Sequence, residues 1–194
     1  LSVTEDLVFL SGNTALQKTV IKNISNEEIK LNPSIGANLF DVGISISSSK
    51  NTVVLNSKNS TAIGHIKFLN ESASIKTDTL NYNALLEGIL LKPNETKEYI
   101  ISQSFIFPEY SWETEKSLIE KSNFDAVMKI RKTEKEDQLQ ELFRNRKEPF
   151  SMDQYSEVLA KAHLTLQNNW RLPAGEIKHE GLFPSYHYKW FNGF

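Results

Sequence analysis

The fold of this chain is decided by the stretch KEYIISQSFIFPEYSW, residues 97–112. Its apolar residues recur with period two, at Tyr99, Ile101, Phe105 and Phe107, interrupted only by Gln103. This alternation predicts a strand with one buried face. Pro108 lacks the N–H that a continuing ladder needs, and the segment from Glu113 to Lys147 contains neither glycine nor proline. We therefore expect strands before Pro108 and helices after it.

Residues 1–110 consist of short β-favouring runs separated by Ser, Asn, Gly and Pro. The runs are 15–24, 27–35, 43–47, 52–55, 63–69, 85–91 and 97–107. We expect two antiparallel pairs of neighbours, 15–24 with 27–35 and 85–91 with 97–107, because each pair is joined by a short turn. Strands at this spacing without intervening helices predict a β-sandwich domain over residues 1–110.

The helical part begins with a capping pattern at Ser122, which stands three residues before Asp125. The apolar positions expected on this helix are Phe124, Val127, Met128, Leu139, Leu142 and Phe143. Between them lies the polar run RKTEKEDQ, residues 131–138, which predicts a solvated helix middle rather than a charge-mediated binding site. Residues 111–148 are therefore predicted to form a helical linker after the sandwich.

A second helix is predicted from the pairing of Ser151 with Gln154, again a capping pattern. Its apolar face is expected to carry Tyr155, Val158, Leu159, Ala162, Leu166 and Trp170. Pro173 and Gly175 should end it. Two capped amphipathic helices after a sandwich are typical of a linker that leads into a larger helical domain.

Composition excludes several classes of function. A net charge of −2 without a basic cluster predicts no nucleic-acid partner and no anionic membrane surface. The chain has no cysteine, which excludes disulfides and thiolate metal sites. The histidines are His65, His163, His179 and His187, and no two of them have the helical spacing of metal ligands. We expect no metal and no cofactor.

The last fourteen residues, GLFPSYHYKWFNGF, contain six aromatic residues. In an extended backbone Tyr186, Tyr188 and Trp190 would share one side, and His187 and Lys189 the other. Such a platform suits a sugar, whose C–H face packs on aromatic rings while its hydroxyls bond to a few polar groups. The alternative is that these rings fill a core or a domain interface.

The run NNWRLPAGEIKHEGLFPSYHYKWFNGF, residues 168–194, resembles the start of the catalytic domain of glycoside hydrolase family sixty-three, the family of processing α-glucosidase I and its bacterial relatives. In that family a Pro-Ser segment and a Trp/Phe-Phe-x-Gly-Phe/Tyr segment run straight into a Trp-x-Trp-Asp sequence. The present chain stops at Phe194, where that sequence would begin. The resemblance implies that residues 149–194 are the first segment of an α/α-barrel catalytic domain.

The same resemblance implies hydrolysis of α-glucosidic bonds with inversion, in which a carboxylic acid protonates the leaving oxygen and a carboxylate activates water. Both carboxylates would lie beyond Phe194, so we expect no catalytic residue in this chain and an inactive isolated chain. The remaining catalytic domain would be a partner in cis or as a second chain, and the parent would be exported or periplasmic. The expected substrate-binding residues are Tyr188, Trp190, Phe191, Asn192, Gly193 and Phe194. Glu176 and Glu180 are expected to be surface carboxylates.

A competing interpretation is a non-catalytic carbohydrate-binding or adhesion module whose own sandwich surface holds the sugar. Such a module needs two or three coplanar exposed rings within residues 1–110, whereas a scaffold domain hides its aromatic residues. The exposure of those side chains therefore discriminates between the two interpretations.

Overall fold

The computed structural model describes residues 1–39, 43–145, 147, 155–173 and 177–182. This part of the chain is mostly β-sheet with a few helices, as expected for a sandwich-like domain. The strands are β1 (Ser2–Phe9), β2 (Thr14–Lys22), β3 (Ile29–Leu31), β4 (Ser34–Asn38), β5 (Ile44–Ser49), β6 (Thr52–Ser57), β7 (Ile63–Phe68), β8 (Ser74–Thr77), β9 (Asn81–Leu85), β10 (Ile89–Leu91), β11 (Thr96–Ile106), β12 (Trp170–Arg171) and β13 (Gly181–Leu182). The helices are α1 (Trp112–Lys121), α2 (Phe124–Arg144) and α3 (Ser156–Asn168).

The chain divides into two compact units, Leu1–Met128 and Lys129–Phe194. The first unit contains a larger antiparallel sheet with the strand order β1-β2-β11-β7-β6-β5 and a smaller one with the order β4-β9-β8. A short β3–β10 pair continues the β4–β9 ladder, and a hydrogen bond of 3.0 Å from the Leu86 amide to the Pro33 carbonyl connects the two parts.

The core of the sandwich lies between these two sheets. Its buried residues are Val53, Phe68, Tyr82, Ala84, Leu86, Tyr99 and Ile101. The alternation predicted for β11 is confirmed at Tyr99 and Ile101, which face this core. It is wrong at Phe105, which is 61% exposed, because the residues of the smaller sheet that build this core pack against the Tyr99 and Ile101 end of the strand.

The opposite face of the larger sheet is covered by helices. Phe124 at the start of α2 packs with Val8 and Leu16, and Val127 and Met128 extend this second cluster. Strand β11 is therefore buried on both faces, and Ser102, Ser104 and Ile106 lie on the helix side. The prediction of a single buried face did not include this second layer.

Both predicted strand pairs are wrong. Strand β2 pairs with β1 and β11 rather than with β3, and β10 pairs with β3 rather than with β11. The physical reason is that the chain crosses from one sheet to the other after β2 and again before β11. The two crossings lie side by side, since the Asn23 amide bonds to the Glu95 carbonyl at 3.0 Å and the Asn94 amide bonds to the Asn23 carbonyl at 2.9 Å.

The change from strand to helix at Pro108 is confirmed, because β11 ends at Ile106 and α1 begins at Trp112. The capping role predicted for Ser122 is wrong. Its hydroxyl donates 2.7 Å to the Ile119 carbonyl and ends α1, while the Asn123 side chain accepts from the Ala126 amide at 3.0 Å and begins α2. The predicted solvated helix middle is confirmed, since residues 132–138 are all exposed.

In the second unit the end of α3 bonds to α2. Gln167 accepts from Lys135 and donates to Gln138 at 2.8 Å. Trp170 was predicted on the helix face, but α3 ends at Asn168 and Trp170 pairs with Leu182 in the β12–β13 ladder. The predicted cap at residues 151–154 lies outside the described residues.

Candidate functional site

The predicted sugar platform lies outside the part of the chain that the structure describes. Tyr188, Trp190, Phe191, Asn192, Gly193 and Phe194 fall in residues 183–194, and Glu176 falls in residues 174–176. What the sequence suggests about them stays a prediction. Glu180 is described and exposed, and its carboxylate accepts a hydrogen bond of 3.2 Å from the Trp170 indole N–H. It is therefore a surface carboxylate, as expected.

An apolar strip lies at the β1 edge of the larger sheet, on the face that carries Ile101. Register places Leu7 in line with Gln17 and Ile101, and Phe9 in line with Ala15 and Gln103. We define the edge strip as Val3, Leu7, Phe9 and Phe105, whose side chains are 57%, 53%, 63% and 61% exposed. Four large exposed apolar side chains lie on this sheet face, with the polar side chains of Glu5, Gln17 and Gln103 between them. Exposed apolar surface of this extent is typical of an interaction surface.

The polar groups inside the edge strip bond to one another. The Gln103 side-chain amide donates to the Gln17 side-chain carbonyl at 2.7 Å, and the Thr19 hydroxyl donates to the Glu5 carboxylate at 3.4 Å. The Gln103–Gln17 bond uses one donor and one acceptor that a bound sugar would otherwise need. The edge strip therefore combines apolar side chains with polar groups, of which one donor and one acceptor are bonded to each other.

A buried carboxylate lies on the other face of this sheet. Glu115 of α1 is 8% exposed and accepts hydrogen bonds from the Thr14 hydroxyl at 2.6 Å and from the Ser11 hydroxyl at 2.9 Å. The Thr14 hydroxyl also lies 2.8 Å from the Ser104 hydroxyl. This network joins α1 to β2 and β11, so the carboxylate of Glu115 has a structural role that holds the helix on the sheet.

His65 of β7 lies directly across the ladder from Ser104 and stacks on Trp112, the first residue of α1. The two rings are parallel within 4° and their centroids are 3.8 Å apart. His65 is 8% exposed, and its Nδ1 atom has no hydrogen-bond partner among the described residues. Burial lowers the pKa of His65 below its ordinary value, so the neutral imidazole is favoured on the indole face.

A cleft of about 430 Å³ lies beside the junction of α1 and α2. Its floor is apolar, with Leu16, Leu69, Ile100 and Phe124, and its rim carries Lys67 and Glu120. The Lys67 ammonium lies 2.5 Å from the Glu120 carboxylate and lowers the pKa of that group. Because the rim charges are already paired across the cleft, the ion pair connects α1 to β7 and leaves no free charge for a ligand.

Within the described ranges no three His, Asp or Glu side chains lie close enough to hold a metal ion. No helix among those residues is long and apolar enough to cross a membrane. No protein-family model matches this chain, and no curated protein matches it.

The sequence prediction missed the network of Glu115, Thr14 and Ser104 because it began the first helix at Ser122 and assigned no separate helix to the residues of α1. The signal was present in Ser111, whose hydroxyl accepts from the Thr114 amide at 3.4 Å and caps α1. A second signal was Ser104, a small polar residue beside apolar ones on β11. Polar residues on a buried strand face need a partner, and here Glu115 of α1 reaches Ser104 through Thr14.

Proposed function

We propose that this chain is the N-terminal, non-catalytic portion of a glycoside hydrolase that cleaves α-glucosidic bonds by inversion, with its general acid and base outside the chain. The resemblance of residues 168–194 to family sixty-three supports the assignment. On this proposal residues 149–194 begin an α/α barrel, and the sandwich is a scaffold that packs against the barrel. The partner is the remaining catalytic domain, in cis or as a second chain.

The observation that carries the scaffold role is the edge strip. A surface of Val3, Leu7, Phe9 and Phe105 that is more than half exposed at every position is costly in water, at roughly 25 cal/mol for each Å² of apolar area left uncovered. Polar side chains, among them Glu5 and the paired Gln17 and Gln103, lie between its apolar residues, as in many protein–protein interfaces. Its chemistry therefore suits another protein surface, and the proposed occupant is the catalytic domain of the parent enzyme.

The carbohydrate-binding alternative is favoured by the exposure of aromatic rings, which a scaffold was expected to hide. Phe9 and Phe105 are exposed aromatic residues on one face of the sandwich, as a sugar-binding module would need. Against it, the Gln103 side chain donates to the Gln17 side chain, and two of the exposed side chains on the same strand as Phe9 are the apolar Leu7 and Val3. Sugar sites combine aromatic rings with polar groups aimed at hydroxyls, so the scaffold interpretation is favoured.

A binding experiment separates the two functions. The variant Leu7→Ser/Phe105→Ser removes half of the edge strip at positions that are already solvated, so its fold should be retained. The matched control is Leu90→Ser, which replaces a leucine that is 55% exposed on the β3–β10 pair. The probes are an apolar dye such as anilinonaphthalene sulfonate, malto-oligosaccharides of three to seven units, and the protein segment encoded after Phe194.

The scaffold function predicts that the double variant loses most dye binding and weakens association with the downstream segment by about tenfold or more, the typical loss when a desolvated anchor is removed. Leu90→Ser should change neither. Malto-oligosaccharide binding that is saturable and is lost in the double variant would instead establish the carbohydrate-binding module and reject the scaffold.

The second consequence of the proposal concerns activity. The isolated chain should not hydrolyse an aryl α-glucoside, because proton transfer by the two carboxylates would come from outside it. In the complete enzyme, Trp190→Ala or Phe194→Ala should lower kcat/KM by about thirtyfold, as expected when roughly 2 kcal/mol of transition-state binding is removed. Turnover by the isolated chain that disappears when one of its own carboxylates is replaced would reject the proposal.

A further inference from the structure

The contact between α1 and the larger sheet contains one titratable stack that the proposed function does not use. His65 projects from β7 on the helix-covered face and lies flat against Trp112, with ring centroids 3.8 Å apart. Trp112 is the first residue of α1, so this stack fixes the point at which the helix meets the sheet. Any change in the charge of His65 acts directly at that point.

We propose that the His65–Trp112 stack is a pH-sensitive latch, which holds the start of α1 on the sheet while His65 is neutral and loosens when His65 takes up a proton. The geometry that carries this proposal is the buried Nδ1 atom, which has no hydrogen-bond partner among the described residues. The imidazolium ion carries N–H groups on both ring nitrogens. Its Nδ1–H would then be buried without an acceptor, which is costly.

Glu115 is the buried anion among the charged groups described around the stack. On β7 itself the nearest charged group is Lys67, whose ammonium is paired with Glu120 of α1. On α1 the carboxylate of Glu115 keeps its negative charge while it accepts from the Thr14 and Ser11 hydroxyls, but no hydrogen bond joins it to the Nδ1 atom of His65. Glu113 pairs with Lys116 at 3.7 Å. The ladder partners on the flanking strands are the uncharged Ser104 of β11 and Val54 of β6.

The helix terminus acts in the same direction. The N-terminal end of a helix carries a partial positive charge, and His65 stacks on the first residue of α1. Both this positive partial charge and the loss of hydration on burial therefore disfavour the imidazolium form of His65. The attraction of a cation to the indole face works against these terms and is modest, about 0.5–2 kcal/mol.

The pH dependence has a definite sign. A histidine whose pKa is lower in the closed state than in the open state stabilises the closed state above the free pKa of about 6.5. As pH falls below that value, the open state binds the proton first and the closed state loses its advantage. The latch is therefore closed at neutral pH and loosens under mildly acidic conditions.

Trp112 reports the state of the latch directly. The chain has three tryptophans, so the variant Trp170→Phe/Trp190→Phe leaves Trp112 as the sole emitter. The measurement is the acrylamide quenching constant of its fluorescence between pH 8 and pH 4.5. Quenching by acrylamide requires solvent access, and it separates opening of the stack from simple quenching of the indole by a charged imidazole.

The latch predicts that the acrylamide quenching constant rises as pH falls, with a midpoint below 6.5, and that this rise is absent after His65→Gln. With Glu115→Gln, which keeps the stack and replaces the neighbouring carboxylate, the rise should persist. In the natural chain the opening constant of the α1 amides, measured by hydrogen exchange, should increase between pH 7.5 and pH 5, by at most about thirtyfold, the limit that a free pKa of about 6.5 sets over this range.

Two results would overturn the latch. One is an acrylamide quenching constant that stays level from pH 8 to pH 4.5 while the emission intensity falls, because the stack then remains closed around a charged histidine. The other is an undiminished rise in the His65→Gln variant, which would assign the titration to another group. If His65→Gln fails to fold, the hydrogen-exchange measurement on the natural chain decides alone.

Discussion

The carboxylate of Glu115 is expected to contribute more to stability than any other charged group described on α1. In Glu115→Ala the hydroxyls of Thr14 and Ser11 lose an acceptor at 2.6 and 2.9 Å. A hydrogen bond to a charged group contributes roughly 1.5–3 kcal/mol, and removing the carboxylate also relieves the cost of its burial. We therefore expect a net loss of about 2–4 kcal/mol in the free energy of unfolding of the Leu1–Met128 unit.

The assay is urea unfolding followed by the emission of Trp112, with Trp170 and Trp190 replaced by phenylalanine so that the signal reports the first unit. A loss of this size should lower the urea midpoint by roughly 1–2 M, for a slope of about 2 kcal/mol per molar urea. The matched control is Glu113→Ala on the same helix turn. Its side chain is 78% exposed and pairs only at 3.7 Å with Lys116.

The control should change the free energy of unfolding by less than about 0.5 kcal/mol, as exposed ion pairs usually do. If Glu115→Ala and Glu113→Ala have the same small effect, the network of Glu115, Thr14 and Ser104 does not hold α1 on the sheet. The account of the helix-side layer given above would then be wrong, although the sandwich core would be unaffected.

Three further predictions concern the packing of the first unit, and each is checked by the same urea assay. Gly36→Ala should lower the free energy of unfolding by about 2 kcal/mol or more, as overpacking does, because a Cβ atom there would lie 2.6 Å from the Tyr82 carbonyl oxygen. Gly88→Ala is the control and should lower it less, because the atom 2.8 Å away belongs to the side chain of Asn32. Asn23→Ala should lower the free energy of unfolding by about 2–4 kcal/mol. The fully buried side-chain amide of Asn23 donates to the Glu27 and Leu91 carbonyls at 2.7 and 2.9 Å, and the substitution leaves these carbonyls without that donor. Lys18→Met should cost less than about 1 kcal/mol, because its partner Asp125 is 71% exposed.

Local sequence patterns predicted where the strands and helices of the first unit lie better than they predicted which strands pair. Alternation on β11 located the strand and its two core residues Tyr99 and Ile101, and Pro108 located the change to helix. Strand pairs were predicted from closeness in sequence. Both predicted pairs were wrong because the chain crosses between sheets at Asn23 and at Asn94. Asn94 adopts a φ of 65°, a conformation that asparagine tolerates and that sequence alone leaves undecided.

The period-two pattern of β11 could not predict the layer of helices on the second face of the larger sheet. A strand covered on both faces does not alternate cleanly, so Ile100, Ser102 and Ser104 appeared to belong to a polar face. Ser104 is joined to Glu115 of α1 through Thr14, and Ile100 packs against the cluster that contains Phe124 of α2. The sequence prediction did not separate these two helices at Ser122 and Asn123. The sequence likewise did not predict the edge strip, because the exposure of Phe105 depends on how far the smaller sheet extends.

The proposal that the chain is the non-catalytic start of a glycoside hydrolase similar to family sixty-three can be tested by reading the codons that follow Phe194 in its gene. The family resemblance predicts a Trp-x-Trp-Asp sequence immediately after Phe194, and a longer helical segment containing the two catalytic carboxylates further on. A stop codon at that point, or a following sequence without the Trp-x-Trp-Asp pattern, would contradict it.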